Sequence, residues 1–310
     1  MLDEVALTPD IFDGALYSSQ DACDIHLRYV REPLLHEVLV RDLRNGDWSA
    51  YVGAATGRWH PKGKELFRKL AAQSRFRAFQ PVGAAAPVDD DTWCDEAIAA
   101  NGVEPVTVIL STNEVARRHA ASPVVHSIET TTNTAWWRGR STSERVFRNT
   151  AAYMQALRLV LSNSNSLMFI DPHVDPTLRR YRNFIQLLLA ARRTPATRLE
   201  IHRCCYEGPP GNRTIFTGAN QAVLEQRFRN AWGATLQAAG VSASVYVWPD
   251  IHDRYLISNL IGLNVSNGFD ESGDPNDWMM FTRLSRDDAD GVQRNHDIAF
   301  KRHHYIIQIP

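Results

Sequence analysis

"SLMFIDPHVDPTLRRYRNFIQLLLA", residues 166 to 190, decides the fold class. Ser166 to Ile170 lead through an unbroken apolar run to Asp171, as a central strand covered on both faces does. The run ends in Asp-Pro-His-Val-Asp-Pro. Pro176 suits the first turn of a helix, where its missing N–H costs nothing. Leu178, Tyr181, Ile185, Leu188 and Leu189 then recur at helical spacing. A strand, a short polar loop and a helix form the repeating unit of an α/β protein.

The same alternation extends on both sides. Upstream, "ERVFRNTAAYMQALRLVLSNS" (144–164) predicts a helix, opened by a capping box of Ser141 and Glu144. Downstream come a strand "RLEIHRC" (198–204), a helix "NQAVLEQRFRNAWGATLQAAG" (220–240) closed by Gly240, and a strand "SASVYVW" (242–248). Two more strands, "RYLIS" and "GLNVS", read as a hairpin. This order predicts a mixed, mostly parallel sheet flanked by helices over about residues 141–310. The polar stretch "WWRGRSTSE" (136–144) marks the boundary with a smaller α+β region, residues 1–140. There "HEVLVRDL" (36–43) and "DWSAYVGA" (47–54) read as strands paired across Asn45-Gly46. "HPKGKELFRKLAAQ" (60–73) reads as an amphipathic helix and "VEPVTVILS" (103–111) as a strand.

The 310 residues carry a net charge of −1, which neither favours nor excludes a nucleic-acid partner. The distribution says more. Arg138 to Arg203 holds twelve arginines against four acids, which makes either solvated helix faces or a surface that meets phosphate. Arg138, Arg140, Arg179, Arg180 and Arg182 are the candidate nucleic-acid contacts. Trp136 and Trp137 would either stack on bases beside them or fill an interior. Four cysteines, Cys23, Cys94, Cys204 and Cys205, lack zinc-site spacing and read as structural thiols in a reducing compartment. The acidic N-terminus has no apolar signal segment, and no apolar run reaches bilayer length, so a cytoplasmic location is expected.

Ligands of open α/β sheets sit beyond the carboxyl ends of the strands. Asp171, His173 and Asp175 follow one such end. His252 and Arg254 lie beside another, and a period of two would put both on one strand face. Two cationic groups there need an acceptor, either a phosphodiester oxygen or a carboxylate such as Asp171, Asp250 or Asp270. Ser266 and Asn267 add short neutral donors at the end of the next strand.

"IHDRYLISNLIGLNVSNG" (251–268) resembles the signature region of the phospholipase D superfamily. There a strand carries His-x-Lys, an Asp or Asn follows the lysine at the fifth place, and Gly-Ser-x-Asn comes later. His252 matches the histidine, Arg254 stands where lysine is usual, Asn259 falls at the acidic position, and Ser266 and Asn267 fall near the Gly-Ser. The His-Asp-Arg variant, with "FIDPHVDP" and "RYRNFIQLLL" upstream, is similar to the phospholipase-D-like domain at the C-terminus of MIT-domain proteins and in bacterial relatives. The resemblance covers about residues 145–270. It implies a His252 nucleophile at phosphorus, a second histidine as general acid, and neither metal nor cofactor. It also implies two copies of the motif. Only one is present here, so catalysis needs either His252 of a second chain in a homodimer or a departure from the family chemistry, with His173 the nearest internal counterpart ahead of His126 and His303. Arginine for lysine keeps the charge but changes the geometry. The implied function is a metal-independent nuclease or phosphodiesterase acting on DNA or RNA, in bacterial defence against foreign DNA. The alternative is a non-catalytic module that binds a phosphate ligand, nucleic acid or a partner protein in a larger assembly.

Overall fold

A computed structural model of the chain describes residues 1–55 and 57–310. The chain divides into two compact units, Leu2–Arg140 and Ser141–Pro310, and both are α/β.

The first unit carries five strands: β1 (Asp3–Leu7), β2 (Val38–Asp42), β3 (Phe76–Phe79), β4 (Val108–Ser111) and β5 (Val125–Ser127). They lie in the order β3-β2-β1-β4-β5 and every pair is parallel. Helical crossovers join them, among them Gln20–His36 and Asp90–Val103. The α+β expectation for residues 1–140 is thereby corrected to a doubly wound parallel sheet. The error arose at Asn45-Gly46. Its left-handed backbone preference is real: Arg44, Asn45 and Gly46 have φ of 56°, 56° and 109°. It turns the chain from β2 into a helix ending at Ala54, not into a second strand. Asp42 accepts hydrogen bonds from the Ser49 amide (2.9 Å) and hydroxyl (2.7 Å), which fixes that turn. Trp48 and Val52 then bury one helical face.

The second unit holds an eight-stranded sheet and a small separate hairpin. Its strands are β6 (Ser143–Phe147), β7 (Ser166–Ile170), β8 (Arg198–Cys204), the hairpin pair β9 (Tyr206–Glu207) and β10 (Thr214–Ile215), β11 (Ala243–Trp248), β12 (Tyr255–Ser258), β13 (Gly262–Val265), β14 (Trp278–Arg283) and β15 (Tyr305–Ile309). The sheet order is β15-β11-β8-β7-β12-β13-β14-β6. Only β7, β8 and β11 run parallel to one another, and the remaining strands add antiparallel on either side. The helix predicted from Ser141 starts instead at Thr150, where the Asn149 side chain caps the Ala152 amide. Ser141 bonds to Ser143, and Ser143–Phe147 becomes the edge strand β6. The hairpin of β12 and β13 forms with Tyr255 opposite Asn264. Gly240, at φ 67°, ends the helical stretch of residues 221–239.

Alternation along β7 divides the core. Phe169 faces Phe184 (5.2 Å between ring centroids) and Phe269 (5.3 Å), and Phe184 stacks on Trp232. Met168 and Ile170 face the other way with Ile257, under Ala289 and Val292 of the helix Arg286–Asn295. Each buried ring of this kind contributes about 1.5–3 kcal/mol. Together they hold the ends of β7 and β12, on which the site is built.

Candidate functional site

β7 and β8 run one way and β12 the other, so the residues after Ile170 and those before Tyr255 meet at one rim of the sheet. Antiparallel pairing brings the end of β13 there too, through the Val265 amide bonded to the Arg254 carbonyl (2.9 Å). His173, Arg254, Ser266 and Asn267 are thus gathered from two separate stretches of sequence.

Asp171 is the buried pivot. Its carboxylate accepts from the His173 amide (3.0 Å), the Tyr181 hydroxyl (3.0 and 3.1 Å) and the Phe269 amide (2.9 Å). Burial, with Asp171 beside it, pushes the Tyr181 phenol well up, so it stays a donor. Gly268 sits at φ 84°, and a Cβ there would run into the Asp171 carboxylate and come within 3.2 Å of Arg254 Cδ. Glycine therefore lets the stem of Arg254 lie close to the pivot.

Arg254 donates to the His252 carbonyl (3.1 Å). Its Nε is buried without a hydrogen-bond partner. Among the described residues its guanidinium has no carboxylate within ion-pair distance, which in a folded chain leaves a cation in want of an anion. The His173 imidazole is half-buried and makes no hydrogen bond among the described residues. Burial first, and then Arg254, Arg180 and Arg203, hold it below the ordinary imidazole range against the opposing pull of Asp171, so it is neutral near pH 7. His173 lines a cavity of about 410 Å³ together with Leu178, Arg179, Arg180, Glu207 and Gly208. Arg179, Arg180 and Arg182 are exposed on the turn Arg179–Phe184 beside it.

Other expected site residues stand elsewhere. Residues 251–254 belong to no strand, because β12 begins at Tyr255, so His252 and Arg254 are not set on one strand face by alternation. The His252 side chain is 78% exposed and its Nε2 lies 3.1 Å from the exposed Asp250 carboxylate, which also accepts from the Tyr206 hydroxyl (2.6 Å). Asn259 is at the opposite end of β12, where its Oδ1 accepts from the Asn165 amide (2.7 Å), a full strand length from His252. Ser266 is exposed but its Oγ accepts from the Met280 amide (3.2 Å). Asn267 is exposed. In the first unit, Arg140 is held by both oxygens of Glu37 (2.6 and 2.8 Å) and lies over the Trp137 ring. Trp137 stacks on Tyr29 (4.7 Å), Trp136 is buried, and Arg138 donates to the Asn133 carbonyl. Trp136 thus packs in the interior, and Trp137 is half-buried between Tyr29 and Arg140.

Sequence reasoning passed over Gly268 and Tyr181. The first was visible as a glycine following Asn267 at a strand end, the second only as one more residue of an apolar stripe. It also passed over Arg203 and Arg227, which pin the buried Asp175 at 3.6 and 2.8 Å. A further polar cluster lies on β8 and β11. Trp248 Nε1–H donates to His202 Nδ1 (3.0 Å), so the neutral ring carries its proton on Nε2, 3.5 Å from Glu200. The four cysteines are free and buried. No set of three or more His, Cys, Asp or Glu that could hold a metal occurs among the described residues, and none of their helices is long and apolar enough to cross a membrane.

No protein-family model matches the chain, and no curated protein matches it. Among solved structures it is similar to TrmBL2, an archaeal chromatin protein whose structure shows a novel mode of DNA binding: identity is 11%, the TM-score 0.31, and 83% of this chain and 87% of that one are covered. It is also similar to a polyphosphate kinase from Porphyromonas gingivalis, at 13% identity and a TM-score of 0.35, over 77% of this chain. The chain spans 35% of the length of that kinase. At these TM-scores neither likeness bears on function.

Proposed function

We propose that the second unit is a phospholipase-D-like domain whose rim grips a phosphodiester of nucleic acid, with Arg254 as the anchor. One observation carries this reading: the stem of Arg254 passes close to the Asp171 pivot, and among the described residues its guanidinium has no carboxylate within ion-pair distance. Neutral His173, the exposed Arg179, Arg180 and Arg182, and the exposed Asn267 surround the same rim and supply donors to non-bridging oxygens. The test is fluorescence anisotropy with a labelled single-stranded oligonucleotide. Arg254→Ala lowers affinity by about 1.5–3 kcal/mol, the scale of a hydrogen bond to a charged group. Wild-type affinity in that variant would end the reading.

A second reading adds chemistry to binding. Asp250 lies 3.1 Å from His252 Nε2 and orients an exposed imidazole, the side chain that serves as nucleophile or general acid in such chemistry. On this reading the full-length protein cleaves DNA or RNA in EDTA, and His252→Ala abolishes cleavage while leaving oligonucleotide affinity in place. Binding without turnover in the wild type would leave the anchoring role alone.

A further inference from the structure

The strands beyond β13 leave one sheet face open. In β14 and β6, Met279, Phe281 and Val146 point into the core. Their neighbours in the ladder, Trp278 opposite Phe147 and Met280 opposite Arg145, therefore point outward together. Phe147 is 50% exposed and Trp278 38%. The helix Arg286–Asn295 packs on β12 and β13, on the same face. The Arg145 guanidinium lies 3.8 Å above the Trp278 ring and makes no ion pair among the described residues. Met280 is the ladder neighbour of Ser266, through the Ser266 amide to the Met280 carbonyl (3.2 Å) and the Met280 amide to Ser266 Oγ (3.2 Å). Ser266 belongs to the rim that holds Arg254. Two strand spacings of about 4.8 Å thus separate β12, which Arg254 immediately precedes, from β14.

We propose that this face is a stacking platform for single-stranded nucleic acid, which takes the bases next to a phosphate held at Arg254. The inference rests on the phosphodiester reading of the rim and names its substrate class. Two aromatic rings and a thioether standing out from a sheet cost solvation unless something flat covers them, and every base has a flat apolar face. Arg145, unpaired and already stacked, meets the negative backbone that comes with those bases. A duplex keeps its bases stacked on one another and cannot offer them here. A second copy of the chain could instead cover the open edge of β6, and the experiment separates these occupants.

Full-length protein is titrated with a fluorescein-labelled single-stranded oligonucleotide and, separately, with its duplex. Light scattering reads oligomeric state, and circular dichroism confirms that the variants fold. The expected result is tighter binding of the single strand, and roughly tenfold weaker single-strand binding in Trp278→Ala and in Phe147→Ala, with duplex binding unchanged. Trp278→Phe, which keeps a ring, restores most of that affinity. If Arg254→Ala weakens binding but the ring variants do not, the platform is overturned while the rim reading stands. Dissociation of a dimer by Trp278→Ala at unchanged oligonucleotide affinity overturns it in favour of a second copy. Equal affinity for single strand and duplex overturns it as well.

Discussion

The two units place polar residues at the same kind of rim and treat them in opposite ways. In the first, the order of strands reverses between β1 and β4, the position at which doubly wound sheets hold ligands. Yet Asp10, just past β1, is fully buried and satisfied: the Thr112 amide (2.8 Å) and the hydroxyls of Thr8 and Thr112 all donate to it. Nearby, Arg58 is held between Asp13 and Asp90, at 2.5 Å from each. Asp10 and Arg58 both have partners within the chain. In the second unit the buried pivot Asp171 is equally satisfied, but the cation next to it is not. Topology makes the rim in both units. What separates a structural rim from a candidate site is a charge that the fold leaves without its counter-charge.

That contrast can be broken most forcefully at Gly268. Gly268→Ala meets the Asp171 carboxylate and demands a left-handed backbone, so we expect a loss of about 2–4 kcal/mol in urea unfolding, together with loss of oligonucleotide binding. Gly102 lies in a helix of the first unit with open space around it, and Gly102→Ala is expected to stabilise by about 0.5–1 kcal/mol. A mild effect at Gly268 would mean that the approach of Arg254 to the pivot is not tight.

Acidification sharpens the comparison by a smaller amount. Burial holds His202, His296 and His303, in the second unit, below the ordinary imidazole range. On unfolding they take up protons that the fold refuses, so this unit loses stability as pH falls below about 6.5. Asp10, Asp42 and Asp90, in the first unit, are pushed up by burial. The folded form keeps protons that the unfolded chain gives up, so that contribution weakens as pH rises from roughly 4. Between pH 7.5 and 5.5 the second unit is therefore the one that softens. Pulse proteolysis in urea, with cuts mapped to residues, reads this directly; earlier opening of residues 2–140 at pH 5.5 would contradict it.

The smallest expected effect belongs to Arg140. Arg140→Ala removes its pairing with Glu37 and its contact with Trp137, costs at most about 1 kcal/mol of stability, and leaves oligonucleotide affinity unchanged. Anisotropy and thermal unfolding of the same sample check both halves. Weakened binding would return Arg140 to the nucleic-acid surface.

The sequence by itself determined much of the local structure. The apolar run of 166–170, the hairpin of β12 and β13, the helix cap at Gly240 and the gathering of His173 with Arg254 at one rim all follow from periodicity and from residues with restricted backbone choices. Such signals are local and survive any tertiary context. Asn45-Gly46 marks their limit, since a left-handed turn is coded there but its continuation as helix or strand depends on packing. Only the tertiary structure decided the parallel sheet of the first unit, the edge strand β6 and which arginines are free. Arg140 and Arg254 look alike in sequence, but one meets Glu37, 103 residues away, and the other meets no acid among the described residues. Charge pairing is set by distance in space, and a partner that far along the chain leaves no mark on the residues beside it.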